Sequence, residues 1–114
     1  MITAMTDVAI PVSDPKKSVE WYRDKLGMEV RDNEGHWVTV APKGCSVVLH
    51  LCETEHAWLE PGNTGIGFRV DDIDKSFNEM VAKGVEFTVK PTKAEWGTFA
   101  MFKDPDGNEY WLFP

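Results

Sequence analysis

The sequence predicts an α+β fold built from two tandem βαβββ repeats. At two points, near residues 7 and 66, alternating apolar residues precede a pattern with helical spacing. Each helical pattern ends at a glycine, Gly27 in the first half and Gly84 in the second. The chain also matches itself at an offset of 58 residues, from Val12 to Val70, and such self-similarity indicates an internal repeat.

The first repeat is expected over about residues 5–52. Residues 7–12 alternate as a half-buried strand does, and Pro11 indicates an edge or a bulge in that strand. Asp14 and Pro15 are typical of a helix start, and the helix should continue to Gly27. Turn residues then separate three shorter strands, at about 28–32, 36–41 and 45–52.

The second repeat is expected over about residues 63–114, after a linker at about 53–62. Asp71 or Asp72 can cap its helix, which should end at Gly84. Strands are predicted near 66–70, 85–90, 98–103 and 108–113, with a loop at 91–97. The matched pairs are Val12/Val70, Asp14/Asp72, Lys17/Lys75, Ser18/Ser76 and Lys25/Lys83, then Gly27/Gly84 and Glu29/Glu86 after one deletion.

Composition narrows the classes of function. With 114 residues, 42% of them apolar and 27% charged, the chain has the makeup of a single globular domain, 1–114. A net charge of −7 opposes nucleic-acid binding and would favour a cationic ligand if the acids surround the site, although acids also keep a surface soluble. No apolar run approaches the roughly 20 residues of a membrane helix. Without a signal-like start, and with Cys45 and Cys52 as expected free thiols, a cytoplasmic location is predicted.

Three segments resemble one known family. They read DVAIPVSD at 7–14, SVEWYRDKLGMEV at 18–30 and FKDPDGN at 102–108. This pattern is similar to the vicinal-oxygen-chelate superfamily, which includes glyoxalase I, the bleomycin- and fosfomycin-resistance proteins and the extradiol dioxygenases. The resemblance covers essentially the whole chain. It implies two repeats forming a curved sheet around a central cleft, and a homodimer.

The resemblance also points to four positions for metal ligands. In metal-dependent members the ligands project from the first and last strands of each half, and the matching positions here are Asp7, His50, Gly65 and Trp111. Glycine has no side chain, and an indole nitrogen only donates, so the second half supplies no ligand. We therefore favour no metal cofactor. A divalent metal would need Asp7 and His50 together with Cys52 or Glu109.

The metal-free, bleomycin-resistance branch implies a binding protein for an aromatic or cationic small molecule. Trp111 would offer a stacking surface, because strand alternation assigns Tyr110 and Leu112 to the core. The alternative is that the five tryptophans fill core and dimer contacts. The residues predicted to contact a ligand are Trp111, Arg69, Glu109, Gly65, Gly67, Trp37, Trp96 and Cys52.

Two of these predictions have structural alternatives. Arg69 could hold a carboxylate or phosphate of the ligand, or it could pair with Glu109. Because Gly65 and Gly67 have no side chains, they would leave open space on their face of the strand for a ligand, or they would permit close contact between protomers.

Catalysis without a metal is the third hypothesis. Asp7 could orient His50 as a general base for proton transfer, although a single histidine on a strand is often only structural. His36 and His56 are predicted to be surface residues. The sequence therefore leaves three functions open: a small-molecule-binding protein, a metal-dependent lyase, isomerase or dioxygenase, and a cofactor-free proton-transfer enzyme.

Overall fold

The computed structural model describes residues 1–114, which form two compact units, Met1–Glu60 and Pro61–Pro114. Each unit contains one four-stranded mixed sheet and one helix of 12 or 10 residues, and this confirms the predicted α+β class with two βαβββ repeats. The first unit contains β1 (Asp7–Val12), α1 (Pro15–Leu26), β2 (Glu29–Glu34), β3 (Trp37–Ala41), β4 (Val48–Glu53) and α2 (Thr54–Ala57). The second contains β5 (Asn63–Arg69), α3 (Ile73–Ala82), β6 (Glu86–Ala94), β7 (Gly97–Lys103) and β8 (Glu109–Phe113).

Helix α1 begins and ends where the sequence predicts. The Asp14 carboxylate accepts the backbone N–H of Lys16 at 3.1 Å and so satisfies a donor that has no partner within the helix. At the other end Gly27 adopts a φ of 70°, a left-handed conformation that suits glycine, and its N–H donates to the Arg23 carbonyl. These two caps fix the length of the helix that connects β1 to β2.

The first sheet has the strand order β1-β4-β3-β2, with β1 parallel to β4 and at one edge. Side chains alternate across it, so one face carries the core. That core contains Ile10, Val12, Tyr22, Val38, Val40 and Leu51, each at most 1% exposed. The opposite face, which we call the polar face, carries Asp7, Thr39, His50 and Cys52. The edge position of β1 agrees with the presence of Pro11, which cannot donate to a ladder.

The second sheet repeats this order as β5-β8-β7-β6, with β5 parallel to β8. Its core is aromatic. The rings of Phe68 and Tyr110 lie 5.1 Å apart between centroids, and those of Phe77 on α3 and Phe87 lie 4.7 Å apart. Tyr110 and Leu112 are buried as predicted, at 0% and 2% exposure. Their burial turns the alternate residues of β8 to the opposite face, which we call the aromatic face.

Several boundaries differ from the predicted ones, including the starts of β4 and β5. β4 begins at Val48 rather than at residue 45, because the turn continues: the Cys45 N–H donates to the Pro42 carbonyl. The predicted linker contains the short helix α2. β6 continues through the predicted loop as far as Ala94, because a register shift between Val89 and Thr92 accommodates Pro91. Cys45 and Cys52 therefore do not share a strand, and both are free thiols.

The helices are short. The longest, α1, has 12 residues, and none combines the length and the apolar character that crossing a membrane requires.

Replacing Asp72 by alanine tests the cap of α3. The Asp72 carboxylate accepts the Lys75 N–H at 3.1 Å, so Asp72→Ala should lower the free energy of unfolding by about 1 kcal/mol in urea titration. Asp71→Ala removes the same charge one residue earlier and serves as the control. Equal losses for the two variants would show that charge, rather than capping, stabilises the start of the helix.

Candidate functional site

His50 lies on the polar face of the first unit, where it is half-buried. Ala9 of β1 is opposite His50 on one side, and Thr39 of β3 is opposite on the other. The Trp37 ring lies beside the imidazole, with 4.5 Å between ring centroids. A histidine held between two strands and against an indole has a restricted orientation.

The His50 ring is further fixed by a hydrogen bond. Its Nε2 lies 3.1 Å from the carbonyl oxygen of His36. Because a carbonyl only accepts, Nε2 must carry the hydrogen, and its lone pair is not free for a metal or a proton. Nδ1 is then the only nitrogen of a neutral His50 with a free lone pair.

Asp7 does not orient His50 in this arrangement. The register places Asp7 opposite Val48, two residues before His50 on β4. The Asp7 carboxylate accepts a hydrogen bond of 2.6 Å from the Thr6 hydroxyl instead. The predicted Asp-His pair is thus on one face but without mutual contact, and the backbone carbonyl of His36 takes the role expected of Asp7.

A pocket of about 460 Å³ opens beside His50 within the first unit. Its lining includes all three histidines of the chain, together with Cys52. His36 and His56 are exposed, as predicted, but their contribution to this pocket was missed. The remaining lining residues are Asp14, Pro15, Lys16, Gly35 and Glu53. Only the pairing of β3 with β4 brings the turn containing His36 beside His50, and no local pattern in the sequence indicates that pairing.

Four aromatic rings cover part of the aromatic face of the second unit. Trp111 lies 6.0 Å from Phe113 with an interplanar angle of 12°, and 5.3 Å from Phe99. Trp96, in the β6–β7 turn, stacks on Phe99 at 5.3 Å and meets Trp111 edge-on at 6.3 Å. We call these four residues, Trp96, Phe99, Trp111 and Phe113, the aromatic wall.

Two members of the aromatic wall were predicted as ligand contacts and two were missed. Trp111 and Trp96 were predicted from the sequence, whereas Phe113 and Phe99 were not. Phe113 follows Trp111 by two residues, so strand alternation could have assigned it to the same face. Assigning Phe99 to the same face requires the register of β7 against β8, in which Met101 is opposite Trp111. Trp37, also predicted to contact a ligand, lies in the first unit against His50.

The two glycines of β5 have different roles. A Cβ added to Gly67 would lie 2.4 Å from Cε2 of Phe113, so the ring already fills this space. The prediction that Gly67 leaves open space for a ligand is therefore wrong. Gly65 has open space around it and a φ of 71°, within a register shift of β5 where its N–H donates to the Asn63 side chain.

The two charged residues predicted near the ligand do not pair. Glu109 lies on β8 two residues before Trp111, and its carboxylate accepts a hydrogen bond from the Thr88 hydroxyl. Arg69 makes no ion pair and is exposed at the end of β5, beside a shallow pocket of about 490 Å³ that Lys75 and Glu79 of α3 also line. The alternative Arg69–Glu109 ion pair is absent.

The residues at the four family metal positions do not form a ligand set. Gly65 offers no side chain, and the Trp111 indole is packed among the rings of the aromatic wall. In the first unit Nε2 of His50 donates to a carbonyl and Oδ1 of Asp7 accepts from Thr6, so at most Nδ1 of His50 and the Asp7 carboxylate are left as donors, short of a ligand set. These four residues therefore do not fit a divalent metal ion.

Comparison with known proteins gives consistent matches over the whole chain. A family model described as Glyoxalase/Bleomycin resistance protein/Dioxygenase superfamily matches residues 4–112. The uncharacterized protein YetH of Bacillus subtilis (strain 168) is 34% identical over 118 aligned positions, which cover 98% of each chain. A superfamily member from Sphaerobacter thermophilus DSM 20745 has a TM-score of 0.87 and 32% identity, covering 97% of this chain and 96% of that one. TnmS3, an antibiotic binding protein from Streptomyces sp. CB03234, has a TM-score of 0.84 and 30% identity, covering 98% and 95%.

Gly67→Ala tests the packing of Phe113 against β5. The added methyl group must displace the ring, so the free energy of unfolding should fall by about 1–3 kcal/mol, and the near-UV circular dichroism of the aromatic wall should change. Gly62→Ala is the control, because a Cβ at Gly62 meets nothing within 4 Å. A Gly67→Ala protein with unchanged stability and spectrum would contradict this packing.

Proposed function

This chain belongs to the glyoxalase/bleomycin resistance protein/dioxygenase superfamily, and on that basis we propose that it binds an aromatic or cationic small molecule at the aromatic wall. The observation that carries this proposal is the identity of the residue at a family ligand position. Trp111 occupies that position and contacts the other three rings of the aromatic wall at centroid distances of 5.3, 6.0 and 6.3 Å. The position that provides a metal ligand in other members therefore provides a surface for aromatic stacking here.

The exposure of the wall supports ligand binding. Trp96 is 63% exposed and Trp111 is half-buried, so both have surface available for contact. Offset stacking of one aromatic pair contributes roughly 0.5–1.5 kcal/mol beyond the area it buries. A flat polycyclic ligand that contacts two or three of the rings would gain from each of them.

The charge beside the wall favours a cation. Glu109 and Trp111 project from the same face of β8, one pleat apart, which is about 6.8 Å along a strand. A ligand whose ring stacks on Trp111 would therefore bring an attached amine within reach of the Glu109 carboxylate. The indole faces themselves attract cations, and the net charge of −7 adds a long-range attraction.

The relationship to TnmS3 supports the class of ligand. That protein is an antibiotic binding protein, and this chain is 30% identical to it over nearly its full length. We infer by analogy that an antibiotic-like aromatic natural product is the type of ligand to test. No covalent step is required of a protein that acts by sequestering such a compound.

We further propose a cytoplasmic homodimer. β1 and β5 are edge strands of their sheets. Such an edge is a suitable place for a strand from a second copy to add.

A cofactor-free proton-transfer enzyme is the second candidate. It is favoured by the fixed orientation of His50 beside the 460 Å³ pocket, with Nε2 donating to a carbonyl. A neutral imidazole held in this tautomer has a basic Nδ1, which is the requirement for a general base. Activity would then survive chelation.

Trp111→Ala is the direct test of the wall. Proflavine, a planar aromatic cation, should bind to the wild-type protein in calorimetric titration. The variant should bind about tenfold more weakly, as the loss of roughly 1.5 kcal/mol of stacking predicts. Trp58→Ala is the control, since Trp58 is 95% exposed and belongs to the first unit. Absence of proflavine binding, or equal affinities for wild-type protein and Trp111→Ala, would contradict the proposal.

Glu109→Gln tests the preference for a cation. The variant should lose affinity for proflavine but keep its affinity for an uncharged anthraquinone, because only the first ligand carries a charge to pair with the carboxylate. The expected loss is roughly threefold to tenfold at low salt and smaller at high salt. Glu79→Gln, on α3, removes the same charge from the helix and serves as the control. An equal loss of affinity for both ligands would show that Glu109 has a structural role.

A further inference from the structure

The first unit contains a second cluster of ligand-type side chains, away from the four family metal positions. Glu53 ends β4, Glu55 and His56 belong to α2, and His36 lies in the turn between β2 and β3. We propose that these four side chains bind a divalent transition metal. The cluster combines imidazole nitrogen with carboxylate oxygen and involves two segments of the chain, the turn at His36 and the continuous stretch from Glu53 to His56.

The distances within the cluster suit ligands of one ion. Nε2 of His56 lies 3.6 Å from Oε2 of Glu53 and 3.6 Å from Oε1 of Glu55. All three residues offer ligand atoms within 4.8 Å of one another. Both 3.6 Å contacts are longer than a normal N–H···O hydrogen bond. Two ligand atoms about 2.05 Å from a tetrahedral zinc ion are about 3.3 Å apart, so the nitrogen and the oxygens would need to move only slightly closer together.

His36 lies outside this 4.8 Å group but directly beside it, and a change of its side-chain rotamer would make it the fourth ligand. Its ring centroid lies 5.6 Å from that of His56, with an angle of 64° between the planes. Two imidazoles bound to one tetrahedral ion have centroids about 5.2 Å apart, given a metal–nitrogen bond of about 2.05 Å. The observed separation is therefore close to that of two histidine ligands, and both rings line the same pocket.

The position of His36 is itself supported by a hydrogen bond. His50 Nε2 donates to the His36 carbonyl at 3.1 Å and ties the turn to β4. His50 thus acts as a positioning residue for the cluster and is not one of its ligands. A bound ion would in turn connect the turn, the end of β4 and α2.

The donor set indicates the class of metal. Two imidazoles favour zinc, copper, nickel or cobalt over magnesium or calcium, which prefer oxygen ligands. Two carboxylates balance the charge of a divalent ion. Because Glu53, Glu55 and His56 are each more than a third exposed, the ion would exchange readily with solution. The cluster lies in the first unit and shares no residue with the aromatic wall, so it is independent of the proposed ligand binding.

Metal titration of the whole chain tests this site. Zinc added to chelator-treated protein should bind with one-to-one stoichiometry in competition with a chromophoric chelator, and cobalt should give the strong visible bands of tetrahedral coordination. His56→Gln and His36→Gln should each weaken zinc binding at least about tenfold and reduce the cobalt bands, because each removes one ligand. Glu60→Gln is the charge-matched control just outside the cluster, and its affinity should equal that of the wild type.

Three outcomes would overturn the proposal. They are the absence of saturable zinc binding, zinc affinity unchanged in both histidine variants, or equal weakening in Glu60→Gln. Far-UV circular dichroism and proflavine binding of each variant distinguish loss of the site from loss of the fold. Proflavine affinity should stay the same with and without zinc, so failure of the metal site and failure of the aromatic wall would be seen separately.

Discussion

The parallel pairing of the first and last strands in each repeat is the constraint on which the other features depend. β1 pairs with β4, and β5 pairs with β8. A parallel pair needs a long connection, and here the helix and two further strands supply it. The pairing also fixes which side chains share a face, because a shift of one residue would turn every side chain to the other side of the sheet. His50 and Trp111 reach the face opposite the core through this register.

The two units use the same scaffold for different chemistry. Asp14 and Asp72 cap corresponding helices, and left-handed glycines follow both. Away from the core, however, the first sheet carries histidine, threonine, aspartate and cysteine, whereas the second carries tryptophan and phenylalanine. The Trp111 indole has a structural consequence as well. Phe113 packs beside Trp111 and takes the space that a side chain at position 67 would occupy, so the glycine there serves the wall itself.

Hydrogen bonding explains why His50 does not act in the expected pair. An imidazole beside a carboxylate would have its tautomer set by that carboxylate, but a backbone carbonyl lies at 3.1 Å from Nε2 and takes this role. The consequence extends beyond one ring, because the same bond holds the turn that carries His36 close to His56. His50 thus supports a group of polar side chains in the first unit, and the aromatic wall in the other unit is free of this polar network.

The sequence by itself determined the elements that depend on local chemistry. Alternation, caps and glycine stops predicted α1, α3 and most strands, and alternation on β8 separated Tyr110 and Leu112 from Trp111 correctly. Tertiary structure decided what depends on register and on neighbours distant in the chain. The pairing of β7 with β8 brought Phe99 to Trp111, a bulge let β6 pass Pro91, and the pairing of β3 with β4 brought His36 beside His50. Such contacts join residues that no local pattern relates, because they arise only when strands pair and the intervening turns fold against them.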